Sequence, residues 1–359
     1  MTTRIAEEDT SFLARLPVNW RGLWQQVYQS VIALVLSLIV GGILLVLSGR
    51  NPIDAYDSLW YGAFGTRDHF TETLVKATPL ILVAVSVSIS FRCQLWNIGA
   101  EGQMLLGAIF SVWVALNVSG LPTLPHLILC FLAAALGGAL WSLIAGVLKA
   151  YLQANEVITT SMLNYIAVYL LAYLVHGPMM DPGGFNFPQS KLIPEALELP
   201  RLVERTRLNA AFIVALVVAG LAVFFWRSTL GLRTEIVGAS RRVAAHVGLN
   251  IPWTIILVSG LTGALAGIAG WGEIFGLHFR LIEEIARGFG TLGIVVALLG
   301  NLNPIAMVIS AFLFAALVVG GNAMERNANV PFALVDVIQG CVILLVLARA
   351  YIFRGGESS

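Results

Sequence analysis

The fold class that this sequence predicts is all-α: a polytopic transmembrane helix bundle of about ten spans. Three observations predict it. Of 359 residues, 58% are hydrophobic and 11% are charged; a soluble domain carries roughly 25% charged residues, so too few charges are present to coat a water-exposed surface of this size. The apolar residues gather in long uninterrupted runs, most of them near the roughly 20 residues that cross about 30 Å of hydrocarbon. The segments between runs are short, and none is large enough to fold as a separate soluble domain.

In chain order the runs are 29–48, 74–90, 98–118, 125–148, 157–175, 208–226, 252–270, 288–300, 304–321 and 333–348. The run at 288–300 is short for a crossing; it reads either as a tilted span or as a re-entrant piece, and the second reading gives a count of nine. Residues 1–28 form a polar tail that includes Glu7, Glu8 and Asp9. The first run is too long for a signal h-region and no small-residue cleavage site follows it, so it reads as a retained helix. The transmembrane domain then covers 29–350, and 351–359 form a second tail.

Charge bias orients the bundle. With the N-terminus inside and ten alternating spans, Arg4, Arg15, Arg21, Arg92, Lys149, Arg227, Arg233, Arg241, Arg242, Arg349 and Arg354 all lie inside. Acidic residues outnumber basic ones in the outside segments, the sign expected of cytoplasmic loops rich in Lys and Arg. This predicts both termini on the cytoplasmic side.

Two connections stand out. Residues 176–207 form an extracytoplasmic loop with Pro178, Pro182, Pro188, Pro194 and Pro200, and 195–207 are read as a short interfacial helix. Residues 227–251 form a cytoplasmic segment in which Val237, Arg241, Ala244 and Ala245 recur at helical spacing. A short helix is expected there, in a stretch too small for a catalytic domain.

Small residues mark two helix faces. Ala134, Gly138, Ser142 and Gly146 line the fourth span, and Ser259, Gly263 and Gly267 the seventh. Such faces let backbones approach closely where lipid supplies no hydrophobic drive.

Polar residues within the runs are the candidates for a solute path: Asn97, Glu101, Gln103, Asn155 and Asn164. Glu101 is an acid in an apolar run, which is expensive unless it faces protein or water. Gly99 and Gly102 beside it suggest a broken helix start, tolerated at depth only where it is protein-buried or lines a cavity. The competing reading puts Glu101 in a first turn, where it suits the helix dipole. Asn155 fits an N-cap equally well. Asn164 lies deeper, and a mid-helix amide wants a partner.

Several function classes are excluded. A net charge of +1 supplies no basic face for nucleic acid. Cys93, Cys130 and Cys341 are not spaced as metal ligands, and His126 with Cys130 makes only two. No H-E-x-x-H pair, Walker lysine motif or strand-borne dinucleotide fingerprint occurs. The chain reads as no enzyme and as holding no cofactor of its own. Scattered amides and a basic inner segment suit a permease driven by a partner.

Four segments carry a resemblance: "WNIGAEGQMLLGA" at 96–108, "NEVITTSMLNYIAVYLLAYLVHGP" at 155–178, "SGLTGALAGIAG" at 259–270 and "GFGTLGIVVALLGNLNP" at 288–304. In this order they resemble the permease subunits of bacterial ABC importers for simple sugars and nucleosides, the binding-protein-dependent, branched-chain-type family. The resemblance implies a type II-like permease in the cell inner membrane. It implies a second homologous permease as heterodimer partner, a separate ATP-binding subunit with two nucleotide-binding domains that uses ATP and Mg, and an extracytoplasmic solute-binding lipoprotein. It also implies that 233–248 is the coupling segment touching the ATPase, with Gly238, Arg241, Arg242, Ala244, Ala245 and Gly248 in it. The family's usual Asn-Pro after the glycine is replaced here by "GASRRVAA". The "NIGAEGQ" form is most similar to the nucleoside branch, so the small polar solute expected is a nucleoside, with a simple sugar as alternative. The rival from another class is an ion-coupled carrier, which needs its own midplane ion site; Glu101 is its candidate.

Overall fold

The computed structural model describes residues 20–184, 187–286 and 288–352. Most of both predicted tails, 1–19 and 353–359, lies outside the described residues. The described chain is helical throughout, with three isolated β-bridges in its loops. Its helices are α1 (Trp20–Leu47), α2 (Pro52–Phe64), α3 (Arg67–Arg92), α4 (Ala100–Asn117), α5 (Thr123–Leu152), α6 (Glu156–His176), α7 (Ala211–Phe225), α8 (Thr229–Ala239), α9 (Arg241–His246), α10 (Ile251–Glu273), α11 (Phe289–Leu299), α12 (Pro304–Ala328) and α13 (Phe332–Ile352).

Each of the ten apolar runs falls on a helix. Among the described residues five helices are long and apolar enough to cross a membrane: α3, α5, α6, α10 and α12. The pair α7 and α8, bent by 72°, makes a sixth if counted as one span. The chain is therefore an all-α polytopic membrane bundle with five or six membrane-length helices; α11, on the short run, has 11 residues.

Two compact units emerge: 1–49 with 336–359, and 50–335. The first holds α1 and most of α13. The second is built around α3, whose apolar window is 89% buried. The hydroxyls of α3 need no water. Ser88 and Ser90 donate to the carbonyls of Val85 and Val87 one turn back, and Ser86 donates to the Thr262 carbonyl of α10 at 2.8 Å.

The two small-residue faces meet each other. A Cβ added at Gly138 would land on the Gly263 carbonyl oxygen, and one at Gly146 would sit 2.5 Å from Ser259 Oγ. The backbones of α5 and α10 thus touch along their length, the close approach that lipid-embedded helices need glycine for.

Four expectations change. The 1–28 tail is already helical from Trp20. A helix that hydropathy does not signal, α2, fills 52–64; Asn51 caps it through Ile53 N at 3.0 Å. The predicted interfacial helix at 195–207 is only a three-residue turn, Glu195–Leu197. The loop instead lays its backbone along the chain after α10: Ile193 N donates to Phe279 O and Leu199 N to Phe275 O, each at 2.8 Å, while Ile193, Leu197 and Leu199 are buried. Finally, the single helix expected through 237–245 is two helices. Ser240 is extended (φ −162°, ψ 112°) and ends α8 while its hydroxyl caps α9 through Val243 N.

Candidate functional site

Four of the five predicted polar residues, Asn97, Glu101, Gln103 and Asn164, meet at the head of α4. Asn97 and Gln103 exchange amide hydrogen bonds of 3.2 and 3.0 Å, and Asn97 Oδ1 also accepts from Gly99 N at 2.9 Å. Asn164 reaches over from α6. Its Oδ1 accepts from Gly102 N and its Nδ2 donates to Ile98 O, both at 2.8 Å. Thr160, one turn before, accepts from Ile98 N at 3.2 Å. A helix start leaves N–H groups without intrahelical partners, and here side chains of a neighbouring helix satisfy them. The buried break before α4 is thereby held by amides of α6 and of its own first turns.

Glu101 lies in the first turn of α4 and accepts from Gly288 N at 3.4 Å. A Cβ at Gly290 would come within 2.7 Å of Glu101 Cβ, so the head of α4 presses on the start of α11. Asn155 caps α6 through Val157 N at 3.0 Å. Beside it, Lys149 at the end of α5 pairs with Glu156 at 2.6 Å, closing the α5–α6 corner. Among these groups lies a cavity of about 20 Å³, walled by Ser90, Asn97, Ser142, Lys149, Thr160 and Thr262, room for about one water.

The same end of the unit carries α8 and α9. Arg92, the last residue of α3, pairs with Glu235 of α8 at 2.7 Å. It also donates to the Leu302 carbonyl at 2.9 Å and stacks 4.1 Å from the Trp226 ring centroid. A Cβ at Gly238 would strike the Arg92 carbonyl oxygen and come 3.1 Å from Cys93 Cα, so only glycine lets α8 lie against this turn. Burial pushes the Cys93 thiol up to about 12, against the opposing pull of the Arg241 charge. Val237 and Ala244 are buried. Arg241 reaches Gln153 at 3.4 Å, whereas Arg242, Ala245 and Gly248 are exposed.

Arg92, Lys149 and Glu235 escape a reading of the runs, because each looks like a loop charge. Glu273 escapes too. It is 4% exposed, more buried than Glu101, and lies 3.6 Å from His278. A π turn, Ile274–His278, carries α10 past residue 270, where its apolar run ends. Among the described residues no group of three or more His, Cys, Asp or Glu side chains is placed to hold a metal.

Residues 70–347 match the family described as branched-chain amino acid transport system / permease component. A glucose ABC transporter permease protein of Haloferax volcanii is 37% identical over 92% of this chain and 90% of its own. A guanosine ABC transporter permease protein of Bacillus subtilis is 34% identical over 90% of this chain and 93% of its own. A nucleoside ABC transporter permease protein of Lactococcus lactis is 32% identical over 90% and 92%. With a helical membrane bundle matched over most of its length, the chain belongs to this permease family of ABC importers.

Proposed function

We propose that this permease forms half of the uptake path for a nucleoside. The other half is a second, related permease; an extracytoplasmic lipoprotein delivers the solute, and a subunit with two nucleotide-binding domains supplies the work of ATP and Mg. In this reading both termini are cytoplasmic, about ten apolar runs enter the cell membrane, the short run at 288–300 as a tilted span or a re-entrant piece, and α2, α8 and α9 do not cross. The exposed leucines of α5, Leu132, Leu136 and Leu140, then meet lipid.

One observation carries the coupling role: α8 and α9 form a bent arm fixed to the end of the most buried helix. Arg92 joins α3 to Glu235, Gly238 rests on the turn after α3, and Arg242 and Ala245 point away from the bundle. We assign Gly238, Arg241, Arg242, Ala244, Ala245 and Gly248 to this arm. Asn97, Gln103 and Asn164 hold the head of α4 above it, Glu101 passes its position to α11, and Asn155 fixes the start of α6.

The guanosine and nucleoside relatives support the nucleoside; the glucose relative supports a simple sugar as second reading. Uptake of labelled guanosine and of labelled glucose, in cells expressing the complete transporter, separates the two. Replacing Arg241 and Arg242 together by Glu is expected to reduce co-purification of the ATPase and to abolish uptake. Unchanged association with unchanged uptake would remove the coupling assignment, and uptake surviving a dead ATPase would favour an ion-coupled carrier.

A further inference from the structure

Helix α6 has two unlike faces. Thr160, Ala167, Leu171 and Val175 are buried and, with Asn164, turn toward α4. At 100° per residue, Ile158, Met162, Tyr165, Tyr169 and Tyr173 occupy the opposite side. Tyr165, Tyr169 and Tyr173 are 62%, 72% and 65% exposed. Among the described residues none of their hydroxyls has a hydrogen-bond partner.

Depth makes this informative. Tyrosines are common at the ends of spans, where the ring sits at the headgroup level, and Tyr173 fits that description. Tyr165 does not. It follows the start of α6 by nine residues of 21, about 14 Å along the axis, at the centre of the helix. A hydroxyl placed in hydrocarbon without a partner costs about 4 kcal/mol or more. Tyr169, one turn on, faces the same problem. The buried side of α6 cannot help, because it already bonds α4.

The ladder is also graded. At one end stands the His176–Glu283 pair, 3.4 Å apart and half exposed. The three phenols follow, one per turn, and then Met162 and Ile158 close the face with apolar side chains. A row of ring faces with hydroxyls, polar at its mouth and apolar at its foot, suits a flat, hydroxyl-bearing solute that stacks and hydrogen-bonds as it passes. Base stacking on aromatic side chains tolerates any base, since each has a π face.

We propose that Tyr165, Tyr169 and Tyr173 line the solute path between the two permeases and bind the passing nucleoside by stacking, with Met162 as the closed foot of the path in this conformation. The proposal rests on the permease-pair reading above.

Single cysteines at 165, 169 and 173, introduced into the complete transporter in place of each tyrosine (Tyr165→Cys, Tyr169→Cys, Tyr173→Cys), test it. A charged, membrane-impermeant methanethiosulfonate is the probe, and Leu136→Cys on α5 the reference. The expected result is labelling at least about tenfold faster than the reference, slowed by guanosine with the binding protein, because the thiolate that reacts forms only in contact with water. Labelling no faster than at Leu136→Cys would overturn the proposal, as would disulfide cross-linking of Tyr165→Cys to the second permease in a site closed to the probe. In parallel, Tyr165→Leu and Tyr169→Leu are expected to raise the half-saturating nucleoside concentration by about fivefold or more, and the Phe variants by less, since the ring face carries the stacking. Equal effects of Leu and Phe would also count against it. Absence of ATP-dependent uptake in the unmodified transporter would strike the importer reading instead, and the labelling pattern would stand apart from that result.

Discussion

Helices α3 and α6 are both long and apolar enough to cross a membrane, yet the chain buries 89% of the apolar window of one and 17% of the other. The difference lies in how each treats its polar atoms. On α3 the serine hydroxyls turn back to carbonyls of their own helix or reach α10, so the helix is complete within a protein interior. On α6 the inward polar groups serve α4, while its tyrosine hydroxyls find no partner among the described residues. Hydropathy measures how strongly a helix avoids water. It does not say whether protein, lipid or a passage covers it.

The largest effect should come from disturbing what encloses α3. A Cβ at Gly293 of α11 would sit 2.9 Å from Val83 Cβ, so Gly293→Leu is expected to destabilise by about 3 kcal/mol or more through overpacking. The checks are yield of monodisperse protein in detergent and thermal unfolding. The matching change on the outer face of α6, Met162→Leu, is expected to stay within about 0.5 kcal/mol; a similar loss there would abolish the contrast between the helices. An intermediate effect is expected on the inner face of α6. Asn164→Ala leaves Gly102 N–H and Ile98 C=O unpaired, a cost of about 2 kcal/mol, visible as a lowered melting temperature. A smaller loss is expected at the start of α6, where Asn155→Ala removes the cap and about 1 kcal/mol. If the Asn155 change proves the larger of the two, the amide clip on α4 is weaker than its geometry indicates.

Much of this was legible in the sequence. Each apolar run became a helix because runs of that length have few other ways to satisfy their backbone in a membrane. The α5–α10 seam was legible because small residues every fourth position stand on one face. Helix α2 was not: with Asp54 and Asp57 in 13 residues it falls below any span threshold, although Asn51 followed by Pro52 is a readable helix start. The break at Ser240 was hidden because the spacing of apolar residues continues across it. At the site, Asn97, Glu101, Gln103 and Asn164 stand out as polar residues in apolar runs. Their partners do not, since Asn164 bonds backbone 62 and 66 residues away. Arg92 reads as one more topology charge; its contacts to Glu235 and Leu302 lie 143 and 210 residues further on.

The contact of Gly238 with the turn after α3 bears on how force moves through the molecule. Most joints between helices are filled by side chains, which can change rotamer and take up part of a displacement. Here main chain rests on main chain, with the Arg92 carbonyl where a Cβ would have been. Packed interiors compress little, and at Gly238 itself no side chain stands between the two backbones. A displacement of α8 against α3 at this point would meet backbone directly, with no side chain between the two helices to absorb it.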